Sequence, residues 1–582
     1  MMAQNLTRRV PKRSRSRAVR KSLAQNQLAG LNSKALPVSR TSFDLETIPR
    51  PAWVLAGLTC ACLLPFLGKA FHVDDTLFLW AAKHIVQHPG DPYGFSVLWY
   101  ARAMPMSEVM KNPPGTSYYL ALVGAWAGWS ETVLHFAFMV PAIATILAVY
   151  RLGREMSRLP VLAAVAALTT PGFLVSATSV MCDVSMLALW LWAILCWRKG
   201  IDDEEAPWLA ASGILIGLCA LTKYFGASLI PLLLAYSLWK KRRAGWWMLF
   251  FLIPVAMLVA YQKWSAGLYG EGLLSGLNPY VEYVKEETGG SGVGNLLVTL
   301  CFVGGCTLPA LLLIPQLWSR KWVICSGALG TFAAIAMVQG WVDLDVPFPE
   351  HYRVLLGLQL GLFLLGGISA LVLAFSDFWQ NRDADSLLLV AWVVGTFIFT
   401  AFLNWTINGR SILPMVPAIA ILIARRLEKQ TESISFKRIT LPLFGCLLIT
   451  LWVTAGDTAL ANSARTSAMR VQAQGIQLSK RVNYAGHWGF QYYMDLYGAK
   501  ALEYSAPNET PLDLIVLPRN NSNQLAIEDG RPFDTLVFPM HWGVTTLRPD
   551  LGAGFYSSRF GPMPYAFAPL PNEYYDLYRF DQ

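Results

Sequence analysis

Residues 51–85 read PAWVLAGLTCACLLPFLGKAFHVDDTLFLWAAKHI. An apolar run, about 52–70, passes directly into two adjacent carboxylates, Asp74 and Asp75, and then into an aromatic and alanine-rich segment. A hydrophobic stretch of roughly 20 residues is a candidate transmembrane helix. The pattern recurs outward from this point. Apolar segments lie near 133–150, 160–176, 181–197, 208–222, 224–239, 246–264, 294–316, 322–341, 353–375, 386–403, 411–424 and 438–456. Helices satisfy their own backbone groups in lipid, so the expected fold is an all-α polytopic membrane protein of about thirteen transmembrane helices.

Composition agrees. Of 582 residues, 54% are hydrophobic and only 14% charged, against about 25% charged in an ordinary soluble domain. That excludes a disordered chain, a collagen and a typical cytosolic enzyme. The net charge of +10 is concentrated in residues 1–50, where eleven Lys and Arg face only Asp44 and Glu46. This segment reads as a basic, disordered cytoplasmic tail that anchors topology, the alternative being a tail that binds anionic lipid or nucleic acid. The rest of the chain is nearly neutral, which argues against a nucleic-acid protein. All nine cysteines fall in or beside apolar segments, with neither a disulfide framework nor zinc spacing.

Residues 51–456 are the expected multi-span domain, with a first outer loop and juxtamembrane helices at 71–130. Residues 457–582 are polar. Strand-like runs at 512–517 and 535–538 and a helix near 488–497 predict a small α/β or α+β domain there. Four basic clusters (Arg151/Arg154/Arg158, Arg198/Lys199, Lys240–Arg243 and Arg425/Arg426) belong in the cytoplasm. They fall there together only if the short, Tyr- and Trp-rich segment 115–129 lies in the outer interface rather than spanning. The loop 71–114, the head of the segment at 181, the hinges at Lys223 and 404–410, and the C-terminal domain then share the extracytoplasmic face.

That face gathers the ionisable residues. On a helix Asp74 and Asp75 point about 100° apart, so one of them faces a given pocket. A carboxylate there suits a general base toward a hydroxyl, a metal ligand, or a favourable helix N-terminus. Asp183 heads the 181–197 segment, where a carboxylate is costly within a membrane helix unless it has a task. Lys111, Lys223 and Arg410 are cations at outer hinges, against the positive-inside trend. They fit an anionic ligand, most simply a lipid phosphate, or snorkelling toward headgroups. His84 and His88 share a helical spacing without an HExxH motif, and the Gly289–Gly294 region lacks the lysine of a P-loop. These readings define no metal site and no cofactor, although a divalent metal on the carboxylates stays open.

In this order the segments resemble a known family. HVDDTLFLWAAKHI (72–85), KNPPGTSYYLAL (111–122), VPAIATILAVYRLGREM (140–156), TPGFLVSATSVMCDVSML (170–187), GLCALTKYFG (217–226) and GRSILPMVPAIAIL (409–422) are similar to segments of the dolichyl-phosphate-mannose protein mannosyltransferase and bacterial aminoarabinose transferase group of the glycosyltransferase C superfamily. Asp75 stands where that family has Glu, and Asn112 where it has His or Lys. The resemblance implies a polyprenyl-phosphate-linked sugar donor, an extracytoplasmic hydroxyl acceptor (protein, glycan or lipid) and an inverting single displacement. It implies Asp74 as base, with Asp75 and Asp183 as further catalytic carboxylates. Lys111, Lys223 and Arg410 would then hold the donor phosphate. It also implies a membrane location, in bacteria the plasma membrane with the site on the periplasmic side. The alternatives are a transporter or lipid flippase, which usually shows repeated halves that are not evident here, and a non-catalytic member of the same superfamily.

Overall fold

In this computed structural model the first apolar run folds as helix α1 (Pro51–Leu63), opened by Pro51 at its first position, where the missing N–H costs nothing. The structure describes residues 49–276, 292–342, 350–429, 437–503, 513–522 and 531–579. The basic tail up to residue 48 and the glycine-rich run at 289–291 lie outside the described residues. The polar segment after α1 is not a bare loop. It holds helix α2 (Asp75–Gln87) and a hairpin of β1 (Ser96–Trp99) and β2 (Arg102–Pro105). Helix α3 (Gly115–Ala127) follows where the juxtamembrane helix is expected. A Cβ on Gly115 would sit 2.7 Å from the carbonyl oxygen of Leu221, so the absent side chain lets α3 dock beside Lys223.

The bundle continues with α4 (Glu131–Met156), capped by the Ser130 hydroxyl, which accepts from the Val133 N–H. Further on come α5 (Cys182–Asp203), α6 (Ala206–Thr222) and α7 (Leu252–Tyr269). Seven described helices are long and apolar enough to cross a membrane, eight if the pair Pro160–Leu168 and Pro171–Ala177 is one span bent by 62°. Pro171 and the Thr170 cap explain that break, because proline disfavours helical geometry in the residue before it. The sequence suggested thirteen apolar segments. The shortfall lies in segments that fold as broken or short apolar helices, such as Pro51–Phe66, Ala206–Thr222 and Gly292–Cys306. Large apolar side chains such as Trp53, Leu122, Trp126 and Phe136 remain exposed on the bundle, as lipid contact requires. The chain is an integral membrane protein.

The four basic clusters gather at one end of the bundle. Arg198 pairs with Glu155 at 2.8 Å and with Asp385, Arg425 pairs with Asp377 at 3.1 Å, and Ser157 donates to Glu428. Lys240 and Lys241 pair with Asp202 and Glu204. Asp202 lies at the far end of α5 from Asp183, roughly 30 Å away along a helix rising 1.5 Å per residue.

One helix crosses the boundary expected at 456/457. Helix α8 runs unbroken from Lys437 to Leu478, because the polar stretch after Gly456 is rich in alanine and other helix formers and free of proline. Beyond it lies a five-stranded mixed sheet in the order β4-β3-β5-β7-β6, built from β3 (Val482–Tyr484), β4 (Lys500–Ala501), β5 (Leu514–Pro518), β6 (Asp534–Phe538) and β7 (Glu573–Arg579). Strand β3 pairs in parallel with β4 and β5, whereas β7 pairs antiparallel with β5 and β6. Helix α9 (Trp488–Leu496) sits between β3 and β4.

His487 joins this domain to the β1–β2 hairpin. Its ring stacks on Trp99 at 4.5 Å, its Nε2 accepts the Tyr100 N–H, and its Nδ1 lies 3.0 Å from the Ser522 hydroxyl. The turn residues Tyr100 and Ala101 both have positive φ, a conformation this contact helps hold. Burial pushes the imidazole down to about 4 from its usual 6.5. The neutral form is therefore favoured in the fold, and its stabilisation is lost as pH falls from about 6.5 to about 4. His487→Gln should lessen the loss of stability measured by thermal unfolding over that range by roughly 3 kcal/mol relative to the unsubstituted chain.

Candidate active site

Asp74 precedes α2, and Arg410 lies on the short helix Gly409–Ile412, whose start is capped by Asn408. The guanidinium donates through Nη2 to Asp74 at 2.9 Å and through Nη1 to the Met181 sulfur at 2.7 Å. It also lies over the Tyr556 ring, 5.7 Å from its centre. Two residues past Met181, Asp183 enters the first turn of α5 and accepts from Lys223 at 2.6 Å. Lys223 occupies the hinge at the end of α6. Asp183 is also within electrostatic reach of Arg410. Four residues separated by up to 336 positions thus form one cluster of two ion pairs.

The exposures differ in a useful way. The Asp74 side chain is 31% exposed and that of Asp183 only 2%. Asp74 is the carboxylate a soluble group can reach. One Asp183 carboxylate oxygen and the Arg410 Nε are buried without a hydrogen-bond partner.

Asp75 faces elsewhere, as the helical spacing requires. It is fully buried, and its two oxygens accept the backbone N–H groups of His72 and Val180, each at 2.9 Å. Burial pushes its carboxyl up to about 7, against the pull of those N–H groups and of Lys69. It ties the start of α2 to the turn before α5, holding Asp74 and Asp183 in mutual register. Burial holds the Lys111 ammonium below its usual range, against the pull of Glu108 and Glu271 among the described residues. His84 and His88 lie side by side, 4.6 Å between ring centres. No group of three or more His, Cys, Asp or Glu among the described residues is placed to hold a metal ion.

A second buried pair was not anticipated from the sequence. Lys69, at the end of the first apolar run, meets Asp457 on α8 at 2.5 Å, both side chains fully buried. Tyr556 donates to Asp457 at 3.0 Å, and Thr546 donates to it as well. Tyr556 thus stands between this pair and Arg410. A lone Lys and a lone Asp at the ends of the first and last apolar segments were the signal available. Lys69→Met should cost roughly 3 kcal/mol in thermal unfolding, because it strands a buried carboxylate. The double replacement Lys69→Met/Asp457→Leu should recover most of that.

An apolar groove of about 850 Å³ lies between α3, α4, α5, α6 and α7, lined by Tyr118, Val140, Leu189, Leu221, Met257 and Trp264 among others. Ser185 and Thr222 also line it, two residues and one residue along the chain from Asp183 and Lys223.

Residues 111–264 match the family described as dolichyl-phosphate-mannose-protein mannosyltransferase. Among solved structures, ArnT from Cupriavidus metallidurans bound to undecaprenyl phosphate is similar, with 14% identity, 81% of this chain and 94% of that chain covered, and a TM-score of 0.42. ArnT in the apo state gives 14% identity, 80% and 92% coverage, and a TM-score of 0.38. The S. cerevisiae protein O-mannosyltransferase Pmt1-Pmt2 complex bound to the sugar donor gives 17% identity, 39% and 34% coverage, and a TM-score of 0.27. No curated protein matches the chain.

Proposed function

We propose that the chain, whose residues 111–264 match the dolichyl-phosphate-mannose-protein mannosyltransferase family, transfers a sugar from a polyprenyl-phosphate donor to an extracytoplasmic hydroxyl. The observation that carries this reading is the joining of the Asp74–Arg410 and Asp183–Lys223 ion pairs into one cluster. The groove takes the isoprenoid chain, and the two cations take the phosphate.

The chemistry follows from charge. The leaving group is a lipid phosphate, already a weak base, so it needs positive charge more than a proton. Arg410 and Lys223 supply that charge, exchanging part of their contact with the carboxylates for phosphate oxygens. Asp74, the exposed carboxylate, accepts the proton of the acceptor hydroxyl as its oxygen bonds to the anomeric carbon and the bond to the phosphate oxygen breaks. The attack comes from the face opposite the phosphate, which inverts the anomeric centre without a second nucleophile. Asp183 holds Lys223, and Asp75 holds the backbone carrying Asp74. The site faces the side opposite the basic clusters, the periplasmic side in a bacterial plasma membrane.

The test is incubation of the purified protein in lipid nanodiscs with radiolabelled polyprenyl-phosphate sugars and membrane extracts as acceptor source. Label should move to the acceptor. Donor that crosses a sealed bilayer without sugar transfer would instead establish a transporter.

A further inference from the structure

A second cavity, polar and about 490 Å³, lies in the C-terminal domain. It falls within the roughly 300–1,000 Å³ usual for small-molecule sites. Trp488 and Phe560 form one wall, their rings edge to face with centres 5.6 Å apart. Asn520, Asn521, Asn572 and Asp550 supply amides and a carboxylate on the others.

Its cations are already paired. Arg519 forms a two-point pair with Asp576, at 2.7 and 2.9 Å, and lies over the Tyr574 ring. Arg548 pairs with Glu573 and, at 3.0 Å, with Asp550. Two guanidiniums meet three carboxylates, so the cavity does not attract a phosphate or an acidic ligand. Aromatic faces suit the C–H face of a sugar ring, and amides and carboxylates suit its hydroxyls.

The backbone at Trp488 strengthens the case. Its φ is +65°, a conformation rare for a bulky side chain, and such residues persist only where the surroundings fix them. The surroundings do so. The His487 N–H donates to the Asn521 side chain at 2.7 Å, and the Asn521 amide donates back to the His487 carbonyl at 3.3 Å. On the other side, a Cβ on Gly489 would lie 2.0 Å from the Phe71 carbonyl oxygen, so the start of α9 is pressed onto the chain leading to Asp74. The cavity is also near the ion pairs. Phe560 is four residues from Tyr556, which touches Arg410, and four residues of chain span at most about 14 Å.

We propose that this cavity binds a neutral sugar of the acceptor, holding it while the reacting hydroxyl meets Asp74. The acceptor role rests on the glycosyltransferase reading above, whereas the binding itself does not. The test is saturation-transfer NMR on the full chain in nanodiscs, without donor, using methyl α-mannopyranoside, maltotriose and chitobiose, with glucose 6-phosphate as the anionic control. Saturation should reach the ring protons of at least one neutral probe. It should vanish in Trp488→Gly, which removes the ring while easing the backbone, and affinity should fall at least tenfold in Asn572→Ala. Binding of polyprenyl phosphate should be unchanged in both variants. No transfer to any neutral probe, equal signals in both variants, or preference for glucose 6-phosphate would overturn the proposal. Loss of probe binding in the variants of a protein that transfers no sugar would uphold the cavity and refute the enzymatic reading.

Discussion

Replacing Asp74 by Asn is expected to lower sugar transfer by about 10²–10⁴-fold, the range for loss of a general base. The substitution keeps the shape of the side chain and removes its ability to take a proton. Asp74 is 31% exposed, so its neutralisation leaves the fold intact. It also releases the Arg410 guanidinium from a carboxylate 2.9 Å away. Affinity for polyprenyl phosphate should therefore hold or tighten while turnover collapses. A variant that had merely misfolded would lose both. Single-turnover kinetics with saturating donor, alongside a lipid-binding measurement, separate the two outcomes. An undiminished rate would remove Asp74 from the chemistry.

Arg410→Ala should act in the opposite sense. Truncating one partner of a desolvated charge pair costs roughly 2–5 kcal/mol, so affinity for the donor lipid should fall by about two to three orders of magnitude. Asp74, left without its cation, is exposed enough to be solvated, and the fold should survive. Lys223→Ala is a poorer probe by itself. Asp183 is nearly inaccessible, and removing its ammonium strands a buried charge. Lys223→Met combined with Asp183→Asn avoids that cost and should still weaken donor binding. Unchanged affinity in both Arg410→Ala and the double variant would defeat the phosphate-holding role.

The members of the two ion pairs were legible in the sequence, because each is an ionisable residue where an apolar segment ends and each has few competitors nearby. Their partners were not. Nothing in local spacing couples Asp74 to residue 410 or Asp183 to residue 223; the packing of α5 and α6 and the Gly409–Ile412 turn does that. The adjacency of Asp74 and Asp75 correctly predicted divergent directions, but not that Asp75 would spend both oxygens on backbone N–H groups. Lys111 resembles the other hinge cations in sequence, and Glu108 and Glu271 are carboxylates that act on it in the fold. Hydropathy located the apolar segments and overstated how many run straight, since proline and short turns divide several of them. Asp457 follows the last apolar run, where hydropathy predicts a helix end; α8 continues for about six more turns and brings that carboxylate against Lys69 and Tyr556.

The most direct test is an electron cryo-microscopy structure of the full chain in nanodiscs containing polyprenyl phosphate. Phosphate density between the Arg410 guanidinium and the Lys223 ammonium, with the isoprenoid chain entering the groove between α3 and α7, is the predicted result. A lipid phosphate seated away from both cations, with the Asp74–Arg410 and Asp183–Lys223 contacts undisturbed, would contradict the account.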